Sequence, residues 1–276
     1  MIPGIHASVS GGLNRALDTL KELGLGCGQI FTSNQRQWKG RPVREEESRR
    51  YRSTGLEVIS HASYLINLAS SSARVRRNSE SAIAEELERM HLLGIRWTVL
   101  HPGAHLGAGE EAGIGMVSEG VRRALSASHP STGILLENTA GAGTTLGHTF
   151  QQLAELLEAI AMPGRTGVCF DTCHAFAAGY DLSTPAAADH VVEELENVLG
   201  TGAVGAFHMN DSLGECGSRR DRHAHIGQGL IGLDALKHLA SMEVFSGVPG
   251  IVETPGSDMD RARDAEALTP YPRGRH

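Results

Sequence analysis

Short runs of apolar, often β-branched residues recur along the chain at 2–8, 27–33, 56–62, 96–101, 133–138, 166–171, 203–209 and 249–253. Between them apolar positions fall at helical spacing. Ala82, Leu87, Met90 and Leu93 lead to Gly94, and Val191, Val192, Leu195, Val198 and Leu199 lead to Gly200. Glycine after the last turn tolerates the left-handed conformation that ends a helix, so the pattern predicts the stops as well as the helices. Strands alternating with helices predict parallel βαβ units. Eight strands, seven clear helices and a weaker eighth at 258–268 amount to an α/β chain folded as a single (β/α)8 TIM barrel over residues 1–276, with its active site at the C-terminal ends of the strands. A doubly wound sheet uses the same units, but no Gly-x-Gly-x-x-Gly follows the first run. From about residue 269 the chain reads as a frayed tail.

Composition narrows the function classes. Of 276 residues, 40% are hydrophobic and 21% charged, which is ordinary for a globular protein. No apolar stretch approaches the length of a membrane helix, and no basic segment precedes an apolar run at the N-terminus, so a soluble cytoplasmic protein is expected. Cys27, Cys169, Cys173 and Cys216 are too scattered for a disulfide framework and are expected as reduced packing residues. Aromatics at 4% argue against rows of stacking platforms for single-stranded nucleic acid. Fourteen histidines and a net charge of −7 suit a protein that offers imidazoles and carboxylates to metal ions.

The strand ends carry the chemistry. The first ends near His6 and the second at Ser33-Asn34-Gln35; the next six end at His61, His101, Glu137, Asp171, His208 and Glu253. In a barrel these ends converge on one face. Carboxylates and imidazoles gathered there need cations to offset their mutual repulsion and their desolvation. His174 follows Asp171 by three positions, and Asp221-Arg-His223 alternates so that both ligand types share a face. Nine candidate ligands exceed one tetrahedral ion and suit two or three ions sharing a carboxylate, with zinc or manganese as the metal. His6, His105 and His225 are candidates to hydrogen-bond the ligands from behind. Glu137, Asp171, His208 and Glu253 taken alone resemble the single-metal site of barrel sugar epimerases, a reading that leaves the other five without a role. Arg36, Lys39, Arg41, Arg74, Arg76, Arg77, Arg219, Arg220 and Arg222 fall in loops expected on the same face and could form a phosphate-binding rim.

The segments GIHASVSGGL, QIFTSNQRQW, HASYLINLAS, LHPGAHLG, LLENTAG, CFDTCHAFAAGYDL, HMNDS, GSRRDRHAHIGQG and VETPG together resemble the endonuclease IV family of apurinic/apyrimidinic (AP) endonucleases, from about residue 4 to residue 263. The resemblance implies a TIM barrel holding three zinc ions, with manganese able to substitute. His61, His101 and Glu137 would hold one ion; Glu137 would bridge to a second held by Asp171, His208 and Glu253; His174, Asp221 and His223 would hold the third. It implies hydrolysis 5′ to abasic sites in double-stranded DNA, leaving a 3′-hydroxyl and a 5′-deoxyribose phosphate, in base excision repair by a monomer without membrane contact, together with trimming of blocked 3′ ends. Glu137 would also orient the attacking water, while Arg36, Tyr64 and Leu65 would contact DNA and fill the space left by the extruded nucleotide. A lesion-binding protein without turnover shares the DNA contacts but lacks a competent metal centre. Two departures stand out: Ala62 occupies a position that is usually acidic in the family, and the short segment after Asp264 predicts a loose last helix.

Overall fold

A computed structural model describes residues 1–269. Eight parallel strands, β1 (Ile2–His6), β2 (Cys27–Ile30), β3 (Glu57–His61), β4 (Trp97–Leu100), β5 (Gly133–Glu137), β6 (Thr166–Asp171), β7 (Val204–His208) and β10 (Pro249–Val252), close into a barrel in that order, with β10 beside β1. Two short strands, β8 (Asp211–Ser212) and β9 (His223–Ala224), form a separate antiparallel ribbon. Except for β6, the barrel strands are shorter than the apolar runs that announce them. Phe31 and Thr32, for example, stay buried after the β2 ladder has ended.

The period-two geometry of a strand explains how the barrel interior builds the site. Cys27, Ile59, Val99, Leu135, Cys169, Ala206 and Ile251 pack together as an apolar plug inside the barrel. Two residues further along the same strands, and therefore on the same inward face, stand Gln29, His61, His101, Glu137, Asp171, His208 and Glu253. The first strand joins this pattern through Gly4 and His6; a Cβ at Gly4 would lie 2.5 Å from Cys27 Sγ, so the plug leaves no room there for a side chain. Outward-facing residues pack instead on the helices in one continuous core.

The helices are α1 (Leu13–Glu22), α2 (Glu45–Arg52), α3 (Ala73–Leu93), α4 (Glu110–Ala127), α5 (Phe150–Ile160), α6 (Thr172–Ala178), α7 (Pro185–Leu199), α8 (Leu233–Ser241) and α9 (Asp258–Ala267). The helix α6 is one more than the sequence pattern predicts. It starts directly off β6 because Asp171 caps it, accepting the His174 N–H at 2.7 Å, so no polar loop marks its beginning. Gly94 ends α3 in the left-handed conformation as expected, whereas Gly200 ends α7 at φ 88° and ψ 151°, a different positive-φ exit. The last helix is not loose: Ser257 and Asp260 form a capping box, and Ala265, Leu268 and Asp264 are buried against the barrel. The expected tail lies, beyond Thr269, outside the described residues.

Candidate metal centre

The inward polar layer converges on Glu137, which is buried at the end of β5. One carboxylate oxygen, Oε2, lies 2.8 Å from His101 Nε2 and 3.3 Å from His61 Nε2. The other, Oε1, lies 3.0 Å from His208 Nδ1 and 3.2 Å from His174 Nδ1. Around this pivot the ligand-type atoms gather within 4.8 Å of one another in two principal groups: His61, His101 and Glu137, and Glu137, Asp171, His208 and Glu253. Asp221 Oδ2 comes within 3.3 Å of His174 Nε2, and its Oδ1 within 3.2 Å of His223 Nε2. The expected trio of His174, Asp221 and His223 is divided between two further groups, His174 and His223 with Asp171, and Asp221 and His223 with Cys173. Cys173, expected as a packing residue, therefore borders the third cluster; burial pushes its thiol up to about 12.

Backbone and amide groups behind the cluster fix which nitrogen each imidazole presents. His61 Nδ1–H donates to Ala62 O at 2.7 Å, which frees Nε2 for Glu137. His208 Nε2–H donates to Gln29 Oε1 at 2.9 Å and turns Nδ1 toward Glu137, with Glu253 Oε2 at 3.1 Å. His174 Nδ1–H donates to Asn138 O at 3.0 Å, leaving Nε2 facing Asp221. Asn210 ties two ligands together, donating from Nδ2 to Asp171 Oδ2 at 2.8 Å and accepting the Glu253 N–H at 2.9 Å. Asn138 accepts the Asp171 N–H at 2.6 Å. Sequence reasoning passed over Gln29, Asn138 and Asn210. The available signal was an amide side chain in or just after a strand-end motif: Gln29 within an otherwise small and apolar strand, Asn138 and Asn210 one and two places after a ligand.

This arrangement fits divalent cations. Two donors at zinc-ligand distance from one tetrahedral ion lie about 3.3 Å apart, and the facing pairs here span 2.8 to 3.8 Å. His223 Nε2 is buried and makes no hydrogen bond although it points at two carboxylates. Among the described residues, the ion-pair partners of Glu137, Asp171, Asp221 and Glu253 are all imidazoles. Burial would push Glu137 and Glu253 up, but the neighbouring imidazoles hold both well below the ordinary carboxylate range, and Asp221 is lowered to about 2 in the same way. Conversely, burial would lower His174 and His208, but Asp171, Asp221 and Glu137 hold His174, and Cys169 with Glu253 and Glu137 holds His208, well above an ordinary imidazole. His174 and His208 thus favour their protonated forms, and a metal ion bound there would displace those protons.

The remaining sequence candidates divide. His6 Nδ1–H donates to Glu253 Oε1 at 2.7 Å, directly behind the cluster, and Gln29 donates to the same oxygen at 2.7 Å. The expectation for His225 and His105 is corrected. His225 pairs with Asp264 of α9 at 2.7 Å and His105 accepts the Gly109 N–H of its own loop at 3.2 Å, so each bonds away from the ligands. Tyr64 is 54% exposed and stands over the first group, its ring 5.0 Å from that of His61 and 5.6 Å from that of His101. Leu65 beside it is half-buried. The cavity over the cluster, about 410 Å³, is lined by His6, Phe31, Gln35, Tyr64, His223 and Glu253. A neighbouring hollow of about 590 Å³ is lined by Asn34, the exposed Arg36 and Lys39. The basic rim is thinner than the sequence suggests: Arg41 pairs with Glu47, Arg76 donates to Ser70 O at 2.6 Å, and Arg222 donates to Asp221 O at 2.7 Å.

Comparison with known proteins follows the same lines. The family model described as a xylose isomerase-like TIM barrel matches residues 17–271. A probable endonuclease 4 of Chloroflexus aurantiacus is 46% identical over 272 residues, covering 96% of this chain and 95% of its own. The crystal structure of endonuclease IV from Thermus thermophilus superposes with a TM-score of 0.85 at 34% identity, covering 97% of this chain and 98% of that one. A D-tagatose 3-epimerase-like protein gives a TM-score of 0.74 at 23% identity over 97% of this chain and 96% of its own, a likeness of fold alone.

Proposed function

The chain belongs to the endonuclease IV family of AP endonucleases, and on that premise we propose that it hydrolyses the phosphodiester 5′ to abasic sites in double-stranded DNA, leaving a 3′-hydroxyl and a 5′-deoxyribose phosphate. The observation that carries this reading is the sharing of Glu137: each of its oxygens faces two imidazoles, in a layer that also holds Asp171 and Glu253. A single-metal sugar epimerase site leaves His61, His101, His174, Asp221 and His223 unexplained. Three ions, zinc with manganese as a substitute, would be held by His61, His101 and Glu137; by Glu137, Asp171, His208 and Glu253; and by His174, Asp221 and His223. When bound, such ions activate water at neutral pH and neutralise charge on the phosphate and the departing oxygen.

The protein's own groups set the rest. Glu137 is positioned to orient the attacking water, since it is buried, ionised and central. His61, His174 and His208 are each locked in one tautomer by a hydrogen bond on the far nitrogen, so the site needs little rearrangement during reaction. Tyr64 lines the opening, with Leu65 next to it in the chain, and the pair would fill the gap left when an abasic nucleotide leaves the duplex, while Arg36 of the adjoining hollow would contact the DNA. A missing base makes that extrusion least costly, which gives lesion selectivity without base reading. The same open cleft suits blocked 3′ ends, and a soluble, cytoplasmic, monomeric enzyme of base excision repair completes the proposal. No helix of the described residues is long and apolar enough to cross a membrane.

The test is nicking of a duplex carrying one tetrahydrofuran abasic analogue, which lacks the aldehyde that β-elimination requires. A 5′-side nick with an extendable 3′-hydroxyl, abolished by prolonged metal stripping and restored by zinc, is expected. No nick by protein carrying three ions per chain would overturn the assignment.

A further inference from the structure

The segment joining β2 to α2 carries Arg36 and contains no regular structure from Phe31 to Pro42, yet a single side chain from the helical layer holds both of its ends. Arg89, on α3, is only 7% exposed. Its Nη2 donates to Thr32 O, at the start of the segment, and its Nη1 donates to Arg41 O, near the end. Its Nε donates to Thr32 Oγ1 at 2.9 Å, and that hydroxyl donates in turn to Glu86 Oε2 at 2.6 Å, one turn earlier on α3. The chain folds directly over the guanidinium: a Cβ at Gly40 would lie 2.9 Å from Arg89 Nη1 and 2.7 Å from Ser33 Cβ. A forked, planar cation spreads its donors over three nitrogens and so reaches two carbonyls and a hydroxyl that lie apart, which the single nitrogen of an ammonium does not match. Trp38, Ser33 and Gly40 line one small cavity together with Glu86 and Arg89, so the middle of the segment faces this pair.

From these contacts we propose that Arg89, braced through Thr32 by Glu86, is a positioning residue for DNA recognition: it holds the Arg36 segment in its DNA-ready shape and takes no part in the chemistry. This rests on the reading that Arg36 contacts DNA. A segment without internal ladder or helix must otherwise lose its freedom on binding, which weakens affinity without touching the reaction step.

The chain supplies its own reporter. Trp38 and Trp97 are its two tryptophans, and Trp97 lies at the far end of the barrel at the start of β4. In a Trp97→Phe background, acrylamide quenching therefore reads the segment alone. For Arg89→Met, Trp38 quenching is expected to rise about twofold, as a local opening without global unfolding would give. KM for an abasic duplex is expected to rise about tenfold, with kcat within about twofold of the parent and bound metal unchanged. Arg89→Lys, which keeps the charge but cannot fork, should fall between the two. Thr32→Val, which removes the brace but leaves both carbonyls, should show a smaller change and carries the test if Arg89→Met does not fold. Parent-like quenching with parent-like KM would overturn the proposal, and so would a fall in kcat accompanied by loss of metal. Arg36→Ala separates the two layers of the argument. A raised KM with unchanged Trp38 quenching supports the DNA reading, whereas an unchanged KM sinks that reading while the quenching data still decide whether Arg89 holds the segment.

Discussion

Asp211 is the side chain whose replacement should most cleanly separate the third ligand cluster from the rest of the barrel. It is fully buried, and instead of a cation it collects backbone N–H groups. Oδ1 accepts from Ser212 at 2.8 Å and Ile231 at 3.0 Å, and Oδ2 accepts from Gly227 and Gly229 at 3.0 Å each. Gly232 reaches both oxygens at 3.3 Å. The same residue pairs with Ala224, and Ser212 with His223, across the ribbon that supports Asp221 and His223. In Asp211→Asn one oxygen becomes an amide NH2 facing three N–H donors, two of them at 3.0 Å or less. Hydrogen bonds to a charged group contribute about 1.5 to 3 kcal/mol each, so losing the Gly227 and Gly229 pair costs about 3 to 6 kcal/mol. A loss of that size exceeds what a surface loop can hold, so the segment from 211 to 232 should open locally while the barrel stays folded. Amide hydrogen exchange should accelerate at Gly227 and Gly229, and metal analysis should show loss of about one ion per chain with the other two retained. Parent-like exchange at those amides, or loss of all ions together, would refute the reasoning.

Other consequences follow from the cluster itself. Glu137→Gln should fold with little change in thermal midpoint but lose about a thousandfold in kcat, because a neutral amide can neither bridge two sites nor orient water; full activity would remove the shared role. Tyr64→Ala with Leu65→Ala should weaken binding of an abasic duplex more than of an intact one in a titration at fixed salt, and equal weakening would argue against insertion. The metal-free protein should show a distinct pH profile. His174 and His208 sit above their ordinary value, so the stability they contribute is present below about pH 6.5 and is lost as pH rises through their raised values. Glu137, Glu253 and Asp221 are lowered, so theirs is present above about pH 4.5 and is lost as pH falls. Scanning calorimetry of stripped protein should therefore give its highest midpoint in mildly acidic buffer, while loaded protein keeps its midpoint through neutrality. Zinc added to stripped protein at pH 7 should release protons, measurable with an indicator dye, and no release would contradict the proton-filled cluster.

Much of this molecule is local in origin and therefore legible in the chain. A strand turns its side chains over every two residues, so Ile59 followed by His61, Leu135 by Glu137, Cys169 by Asp171 and Ile251 by Glu253 already places an apolar plug beneath a ligand on one face. Alternation with helices fixes the barrel, and the barrel brings those strand ends together. Tertiary structure alone decides the matters that depend on atoms meeting from distant strands. It turns His208 to present Nδ1 and His174 to present Nε2, because Gln29 and the Asn138 carbonyl take the opposite nitrogens. It removes Arg41 from the basic rim by pairing it with Glu47, and ties α9 down through Asp264 rather than leaving it loose. None of these contacts has a period or spacing to read. Each is a choice among hydrogen-bond partners that exist only once the chain has closed, made by angstrom-scale geometry and the cost of leaving a buried polar atom unpaired.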